Sequence, residues 1–160
     1  MVPSLRVGFA GLGLMGRPMA LNLLADGHAL RFVMNRDRSA VAELLAAGGQ
    51  ERATPAALAA DCDVLVLCLP GSEVIERVLF GEQGVVHGGM QNLLVLDCST
   101  SPPLATQAVA ARLAAVGIRF VDAPVVRGPR EAAKRRLAAL AGGSDDDLLL
   151  ARRVLASFCE

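Results

Sequence analysis

The chain has 160 residues, of which 53% are hydrophobic and 20% are charged, so a disordered chain is excluded and one folded domain over residues 1–160 is expected. Sixteen basic residues balance sixteen acidic ones and aromatic residues make up 3%, which gives no reason to expect nucleic acid as a partner. The sequence shows neither a membrane-spanning run nor an apolar leader, so we expect a cytoplasmic protein without a membrane partner.

The first predicted elements are a short strand and a helix joined by a glycine-rich turn. Residues 5–10 are mostly apolar, and the residues after position 15 carry apolar side chains at helical spacing. Between them stands the pattern G-x-G-x-x-G, in a context that favours a dinucleotide site over a glycine turn without a ligand. The predicted cofactor-binding residues of this loop are Gly11, Leu12, Gly13, Leu14, Met15 and Gly16.

Each glycine of this loop has a predicted role. Gly11 permits a tight turn, and Gly13 lets a pyrophosphate approach the backbone. Gly16 lets the helix pack close to the strand. The free N–H groups at the start of the helix would then face the phosphates.

The second predicted strand, residues 30–34, ends at a pair that bears on cofactor choice. In NAD-binding domains an acidic residue about 20 residues beyond the motif commonly binds the ribose hydroxyls. Asn35 takes that place here, and Arg36 offers a guanidinium that would pair with a 2′-phosphate. We therefore predict that both residues bind the cofactor, with NADP(H) preferred and NAD(H) as the second candidate. The alternative is that Arg36 is a solvated loop residue.

The rest of the chain continues to alternate between predicted strands and helices. Strands are expected at 64–69, 93–97, 118–121 and 137–141, and helices at 39–47, 72–80 and 102–116, with a short helix from Thr54 and a last one capped by Ser144. Ser39 is the predicted N-cap of its helix, and residues 130–136 can be helical with a Glu131–Arg135 pair. This alternation predicts an α/β fold with a mostly parallel sheet.

No metal site is expected. The four cysteines form no C-x-x-C pair, and neither histidine is close to them in sequence. Three aspartates at the start of the last helix are explained by the helix dipole.

Several stretches, taken in order, resemble the β-hydroxyacid dehydrogenases, the family of 3-hydroxyisobutyrate dehydrogenase, tartronate semialdehyde reductase and, more distantly, 6-phosphogluconate dehydrogenase. The matching stretches are the glycine loop with Pro18-Met19-Ala20, Asn22-Leu23 and Gly27-His28, then Asn35-Arg36, Leu69-Pro70, Asp97-Cys98-Ser99-Thr100, Asp122-Ala123-Pro124-Val125 and Gly142-Gly143. They extend over essentially the whole chain.

The resemblance implies a Rossmann-type, doubly wound sheet and hydride transfer between NAD(P) and a small, carboxylate-bearing β-hydroxy acid or semialdehyde. It implies cofactor contacts for Leu69, Pro70 and Thr100, and a substrate contact for Ser99. The alternative readings are a strand end and turn for the first two residues and a helix cap for Thr100.

The chain departs from the family pattern in the segment expected to bind the substrate. Where the family usually has Ser-Gly-Gly, this chain has Val126, Arg127 and Gly128. These three residues are the candidate substrate-binding segment, in which Arg127 either pairs with a carboxylate or is a solvated cation. Arg135 also stands where the family usually has a glycine.

The resemblance also bears on catalysis. Family members continue into an all-helical domain, whose lysine acts as general acid/base just beyond the last residue of this chain. Lys134 lies in a different segment, so we expect no catalytic residue in this chain, and poor hydride transfer by it alone. The expected partners are that helical domain or a second copy of the chain. Two alternatives stay open: a non-catalytic NADP(H)-binding module, and a fragment of an imine reductase.

Overall fold

A computed structural model describes residues 4–34 and 38–160, in which strands and helices alternate. The strands are β1 (Arg6–Ala10), β2 (Ala29–Val33), β3 (Gln50–Glu51), β4 (Val64–Leu67), β5 (Leu94–Asp97), β6 (Arg119–Asp122), β7 (Val125–Val126) and β8 (Ala138–Ala139). The helices are α1 (Gly16–Ala25), α2 (Val41–Ala46), α3 (Pro55–Ala59), α4 (Ser72–Phe80), α5 (Pro103–Ala114), α6 (Pro129–Ala133) and α7 (Asp145–Leu155), with a 3₁₀ turn at Val85–His87.

Six of the strands form one parallel sheet in the order β3-β2-β1-β4-β5-β6. This is the doubly wound order in which the chain first builds outward from β1 and then crosses over to β4 on its other side. The predicted Rossmann-type α/β fold is therefore confirmed. The reversal between β1 and β4 leaves a crevice at the carboxyl ends of these two strands, where such sheets bind their ligands.

Two hydrophobic clusters cover the two faces of the sheet. Along β4, Val64 and Val66 belong to one cluster while Leu65 and Leu67 belong to the other, and all four side chains are fully buried. Strands buried on both faces lack an alternation of apolar and polar residues, which explains the continuous apolar run in the sequence. This double burial fixes the carboxyl end of β4 at the crevice.

One predicted helix start was wrong. Helix α2 begins at Val41 and has Ala40 at its N-cap, so Ser39 is not the capping residue. The chain first makes a turn in which the Val41 N–H donates to the Arg38 carbonyl oxygen, and this turn delays the helix. The strand β3 was not predicted because its two residues, Gln50 and Glu51, show neither an apolar run nor an alternation.

The segment after β6 also differs from the prediction. Helix α6 ends at Ala133, so the predicted Glu131–Arg135 pair does not form. Arg135 instead has a left-handed backbone (φ 59°) and its guanidinium pairs with Asp26 at the end of α1. The last predicted strand is shortened to β8, which pairs with β7 in a separate antiparallel hairpin.

Across the described ranges 4–34 and 38–160, the helices are all too short or too polar to cross a bilayer. The same part of the chain holds no cluster of three or more His, Cys, Asp or Glu side chains arranged to bind a metal ion.

Candidate dinucleotide-binding site

A cleft of about 870 Å³ opens at the crevice between β1 and β4. Its described lining comes from five segments. They are the end of β1 with the loop after it (Ala10, Gly11, Leu12, Gly13), the end of β2 (Val33, Met34), the segment that leads from β3 into α3 (Ala53, Pro55), the segment after β4 (Leu69, Pro70), and α4 with the residues that follow it (Glu73, Val74, Arg77, Val78, Gly81, Glu82, Gln83). The structure therefore brings three of the six predicted loop residues, Gly11, Leu12 and Gly13, to one cavity with Leu69 and Pro70, whereas Leu14, Met15 and Gly16 are not among its lining residues.

The backbone of the loop requires glycine at two positions. Gly11 has a left-handed backbone (φ 103°), and a Cβ at this residue would collide with the carbonyl oxygen of Cys68. A Cβ on Gly16 would collide with the carbonyl oxygen of Gly11 and lie 2.9 Å from the Phe9 ring. The tight turn and the close approach of helix to strand, both predicted from the sequence, are thus enforced by backbone contacts.

The start of α1 is open to an anion. Its N-cap residue, Met15, makes no side-chain capping bond, and its first turn carries no acidic residue. By contrast, Ser144 caps α7 and three aspartates occupy the first turn of that helix. A Cβ at Gly13 would meet no atom within 4 Å, so the backbone there borders open space. Uncapped N–H groups beside open space are what a phosphate group needs at a helix N-terminus.

A small hydrogen-bond network shapes the neighbouring edge of the sheet. The Leu69 N–H donates to Ser99 Oγ at 2.9 Å, and the Ser99 N–H donates to Asp97 Oδ1 at 2.9 Å. Both Ser99 and Asp97 are buried, and burial raises the pKa of the Asp97 carboxyl. The Ser99 hydroxyl therefore ties the end of β5 to the end of β4, while Thr100, next in sequence, is exposed.

Asn35 and Arg36 lie outside the described residues. Met34 before them lines the cleft. Arg38 after them is held by Glu51 of β3 in a bidentate ion pair, with N–O distances of 2.9 and 3.0 Å. Of the residues that flank the predicted cofactor-binding pair, Met34 therefore lies at the cleft and Arg38 is fixed to β3.

The predicted substrate segment is not part of the described lining of the cleft. Val126 is 44% exposed, and Gly128 is the N-cap of α6. Arg127 has a left-handed backbone (φ 80°). Its Nη1 atom lies 2.5 Å from a Glu160 carboxylate oxygen and donates to the carbonyl oxygen of Arg136. The guanidinium is therefore held by the protein through Nη1.

Sequence reasoning missed the wall that α4 contributes to the cleft. Glu73, Val74, Arg77 and Val78 stand at positions i, i+1, i+4 and i+5, which lie on one face of a helix. Because α4 follows β4 directly, its position after a strand that ends at the crevice was the signal that could have identified this face.

The strand order, the glycine loop and the uncapped start of α1 together define a dinucleotide-binding domain of the Rossmann type. Residues 6–160 match the family model described as the NAD-binding domain of 6-phosphogluconate dehydrogenase. The chain belongs to this family.

Curated relatives carry names of oxidoreductases. The chain is 41% identical over 136 residues to 3-sulfolactaldehyde reductase of Escherichia coli, covering 85% of this chain and 45% of that protein. It is 34% identical over 149 residues to 3-hydroxyisobutyrate dehydrogenase of Pseudomonas aeruginosa, covering 93% and 50%. The chain thus spans about half the length of the curated relatives it matches.

Solved structures agree with this assignment. The 3-hydroxyisobutyrate dehydrogenase of Mycobacterium tuberculosis with L-serine superimposes with a TM-score of 0.89 at 30% identity, over 98% of this chain and 53% of that one. A structure described as Psf3 in complex with NADP+ and 2-OPP has a TM-score of 0.89 at 29% identity, over 96% and 54%. The resemblance to the β-hydroxyacid dehydrogenases is confirmed.

Proposed function

We propose that residues 1–160 form one NADP(H)-binding domain that holds the cofactor for hydride transfer to or from a small, anionic hydroxy acid or semialdehyde. One observation supports the proposal most. The glycine loop, followed by the uncapped start of α1, borders the cleft at the point where the strand order reverses. When bound, the cofactor would supply the hydride in its reduced form and accept it in its oxidised form. The chain supplies the binding site. Backbone N–H groups would bind the pyrophosphate, and the carboxyl-terminal edge of the sheet would contact the other parts of the cofactor.

The loop residues 11–16 are proposed to hold the pyrophosphate. Leu69 and Pro70 line the same cleft and are proposed to contact the cofactor, together with the exposed Thr100. Ser99 supports this edge, because its hydroxyl fixes the Leu69 N–H. We propose that Ser99 affects substrate binding indirectly, because its hydrogen bond fixes the positions of the ends of β4 and β5.

A preference for NADP(H) is proposed from Asn35 and Arg36. The position commonly occupied by a carboxylate in NAD-binding domains carries a neutral amide here, and a guanidinium follows it. A guanidinium pairs with a 2′-phosphate, which a carboxylate would repel. A structural relative described with NADP+ bound is consistent with this preference.

The proposed substrate carries an acidic group that Arg127 recognises. In the described residues, Glu160 and the Arg136 carbonyl oxygen both contact Nη1, whereas Nε and Nη2 donate no hydrogen bond. Those two nitrogens form the side edge of the guanidinium, which binds a carboxylate or a similar oxyanion in a bidentate manner. The names of 3-sulfolactaldehyde reductase and 2-hydroxy-3-oxopropionate reductase describe relatives that act on small molecules with an acidic group.

The test of cofactor choice is a titration of the chain with NADPH and with NADH, monitored by the fluorescence of the reduced nicotinamide. We expect NADPH to bind more tightly. The variant Arg36→Gln should weaken NADPH binding about tenfold and change NADH binding less than about twofold. Equal affinities of the wild type for both cofactors would contradict the preference.

The test of the substrate proposal uses the protein in a form that carries out hydride transfer. The variant Arg127→Ala should raise KM for a carboxylate substrate such as 3-hydroxyisobutyrate by roughly tenfold to a hundredfold, while the Kd for NADPH stays unchanged. The exposed Arg130 on α6 offers a matched control, because Arg130→Ala removes a nearby cation and should leave KM unchanged. An unchanged KM in Arg127→Ala would show that Arg127 does not bind the substrate.

A further inference from the structure

Arg77 is a cation on the wall of the cleft whose side chain has no partner among residues 4–34 and 38–160. Ten other arginines of the described chain pair with a carboxylate. The Arg77 side chain, exposed on α4, makes neither an ion pair nor a hydrogen bond with the residues the structure describes, although it lines the cavity. A guanidinium placed in this way is available to a ligand.

The charge around Arg77 does not suit a phosphate group. Glu73 lies one turn before Arg77 on the same wall, and Glu82 follows the end of α4 on the rim of the same cleft. Two carboxylates and one guanidinium give this wall a net negative charge, which would repel a phosphate. The phosphate-binding part of the cleft is the glycine loop and the start of α1, where the first helical turn carries no acidic residue.

The apolar side chains around Arg77 suit a flat, neutral ring instead. Val74 and Val78 flank Arg77 on the wall of α4. The end of β2 contributes Val33 and Met34 to the same lining, and the segment that leads from β3 into α3 contributes Ala53 and Pro55. In this fold the end of β2 receives the adenosine ribose, so the attached adenine comes to the part of the cleft between β2 and α4.

We propose that Arg77 stacks its planar guanidinium on the adenine ring of the cofactor. Arginine stacks on the faces of nucleobases, and this contact needs no negative charge on the ligand. The proposal rests on the proposed cofactor-binding function and adds a residue that recognises the adenine rather than the 2′-phosphate. Arg77 therefore contributes to the binding of NADPH and NADH alike, whereas Arg36 distinguishes between them.

The experiment measures Kd for NADPH, NADH and 5′-AMP on the chain and on three variants. Arg77→Ala removes the guanidinium, Arg77→Lys keeps the charge but loses the plane, and Arg130→Ala removes an exposed arginine that is not on the cleft. We expect both Arg77 variants to weaken all three ligands by a similar factor, about threefold to tenfold. This factor should be the same at low and at high salt, because stacking is not screened as a phosphate contact is. The control should bind as the wild type does.

Each other outcome overturns the proposal. Unchanged affinities in Arg77→Ala show that Arg77 does not contact the ligand. A loss confined to NADPH, or rescue by Arg77→Lys, shows that Arg77 acts by charge on the 2′-phosphate. A wild-type chain that binds none of the three ligands refutes the proposed function itself. Normal binding by the wild type together with unchanged affinities in Arg77→Ala refutes only the role of Arg77. Thermal unfolding checks the fold, and Tm of Arg77→Ala should stay within about 2 °C of the wild type.

Discussion

The glycine loop and the hairpin segment between β7 and β8 both contain left-handed residues, but they meet this backbone requirement in different ways. In the loop, Gly11 is left-handed and also pressed against the carbonyl oxygen of Cys68. In the hairpin segment, Arg127 and Arg135 are left-handed with φ values of 80° and 59°. Gly11 is thus required both by its backbone angle and by the lack of space for a Cβ. At Arg127 and Arg135 only the left-handed backbone is unfavourable, and it costs free energy.

The two arginines use their positions to link separate parts of the chain. Arg127 pairs with Glu160 after α7, and Arg135 pairs with Asp26 at the end of α1. An arginine can therefore occupy a left-handed position at which the family pattern has a glycine. The cofactor loop depends on the absence of side chains, while the hairpin segment accepts them and gains ion pairs.

The largest effect is expected for Gly11→Ala. The substitution combines an unfavourable backbone angle with a collision against backbone, so the free energy of unfolding should fall by about 3 kcal/mol. Urea denaturation measures this change, and NADPH binding should be lost with it. A decrease below about 1 kcal/mol would show that the loop moves easily to accept a Cβ. The claim that Gly11 is required by its contact with Cys68 would then be wrong.

Gly13→Ala separates binding from folding. A Cβ at this residue meets no protein atom within 4 Å, so stability should stay near the wild-type value. The added methyl group would occupy the space through which the pyrophosphate approaches, and Kd for NADPH should rise about tenfold to a hundredfold. Fluorescence titration and thermal unfolding of the same sample measure both quantities. Wild-type affinity in this variant would mean that the cofactor does not lie against the loop.

A comparison of Arg135→Gly with Arg135→Ala measures how much the left-handed backbone of a non-glycine residue lowers the free energy of unfolding. Both variants lose the ion pair to Asp26, but only glycine relieves the backbone. We expect Arg135→Gly to be more stable than Arg135→Ala by about 1 kcal/mol in urea denaturation.

Lys134 provides the matched control for that comparison. It has φ −93°, where glycine gains nothing, so Lys134→Gly should be less stable than Lys134→Ala. The same ranking of glycine and alanine at both positions would contradict the claim that Arg135 carries backbone strain.

The smallest effect, about 0.5 kcal/mol, is expected for Asp97→Asn at pH 7. Burial raises the pKa of the Asp97 carboxyl above its value in the unfolded chain, and Asp122 on the neighbouring strand raises it further. A group with a raised pKa costs stability as pH rises, because the folded protein resists the charge that the unfolded chain accepts. Asparagine avoids that charge and keeps an acceptor for the Ser99 N–H.

The gain from Asp97→Asn should therefore shrink as pH falls towards the ordinary pKa of an aspartate. Urea denaturation at pH 7 and at pH 4 measures the difference between the two proteins. A gain of equal size at both pH values would show that the charge of Asp97 is not its cause.

Most of the fold could be predicted from local patterns. The helix α4 was placed at its observed bounds, and β4 was recognised because burial on both faces makes its sequence continuously apolar. Gly27, Gly48 and Gly117 follow the ends of α1, α2 and α5 and are left-handed, as glycines just after a helix commonly are. These features depend on neighbours in the sequence.

The features that were missed depend on distant contacts. Asp26 holds Arg135 across 109 residues, and no local pattern reveals that contact. The two residues of β3 form a strand because β2 offers them a free edge, which their polar side chains do not indicate. Arg77 enters the cleft because α4 follows β4 at the crevice, so its place is known only once the strand order is known.

The most direct measurement of the central claim is an NMR titration of the ¹⁵N-labelled chain with NADPH. We expect saturable shifts of the backbone amide signals of residues 11–16, where the loop and the first turn of α1 would contact the pyrophosphate. The amide signals at the start of α7, whose first turn is capped by Ser144 and filled with aspartates, should not move. Unchanged signals in the loop at saturating NADPH, or shifts centred elsewhere, would contradict the account.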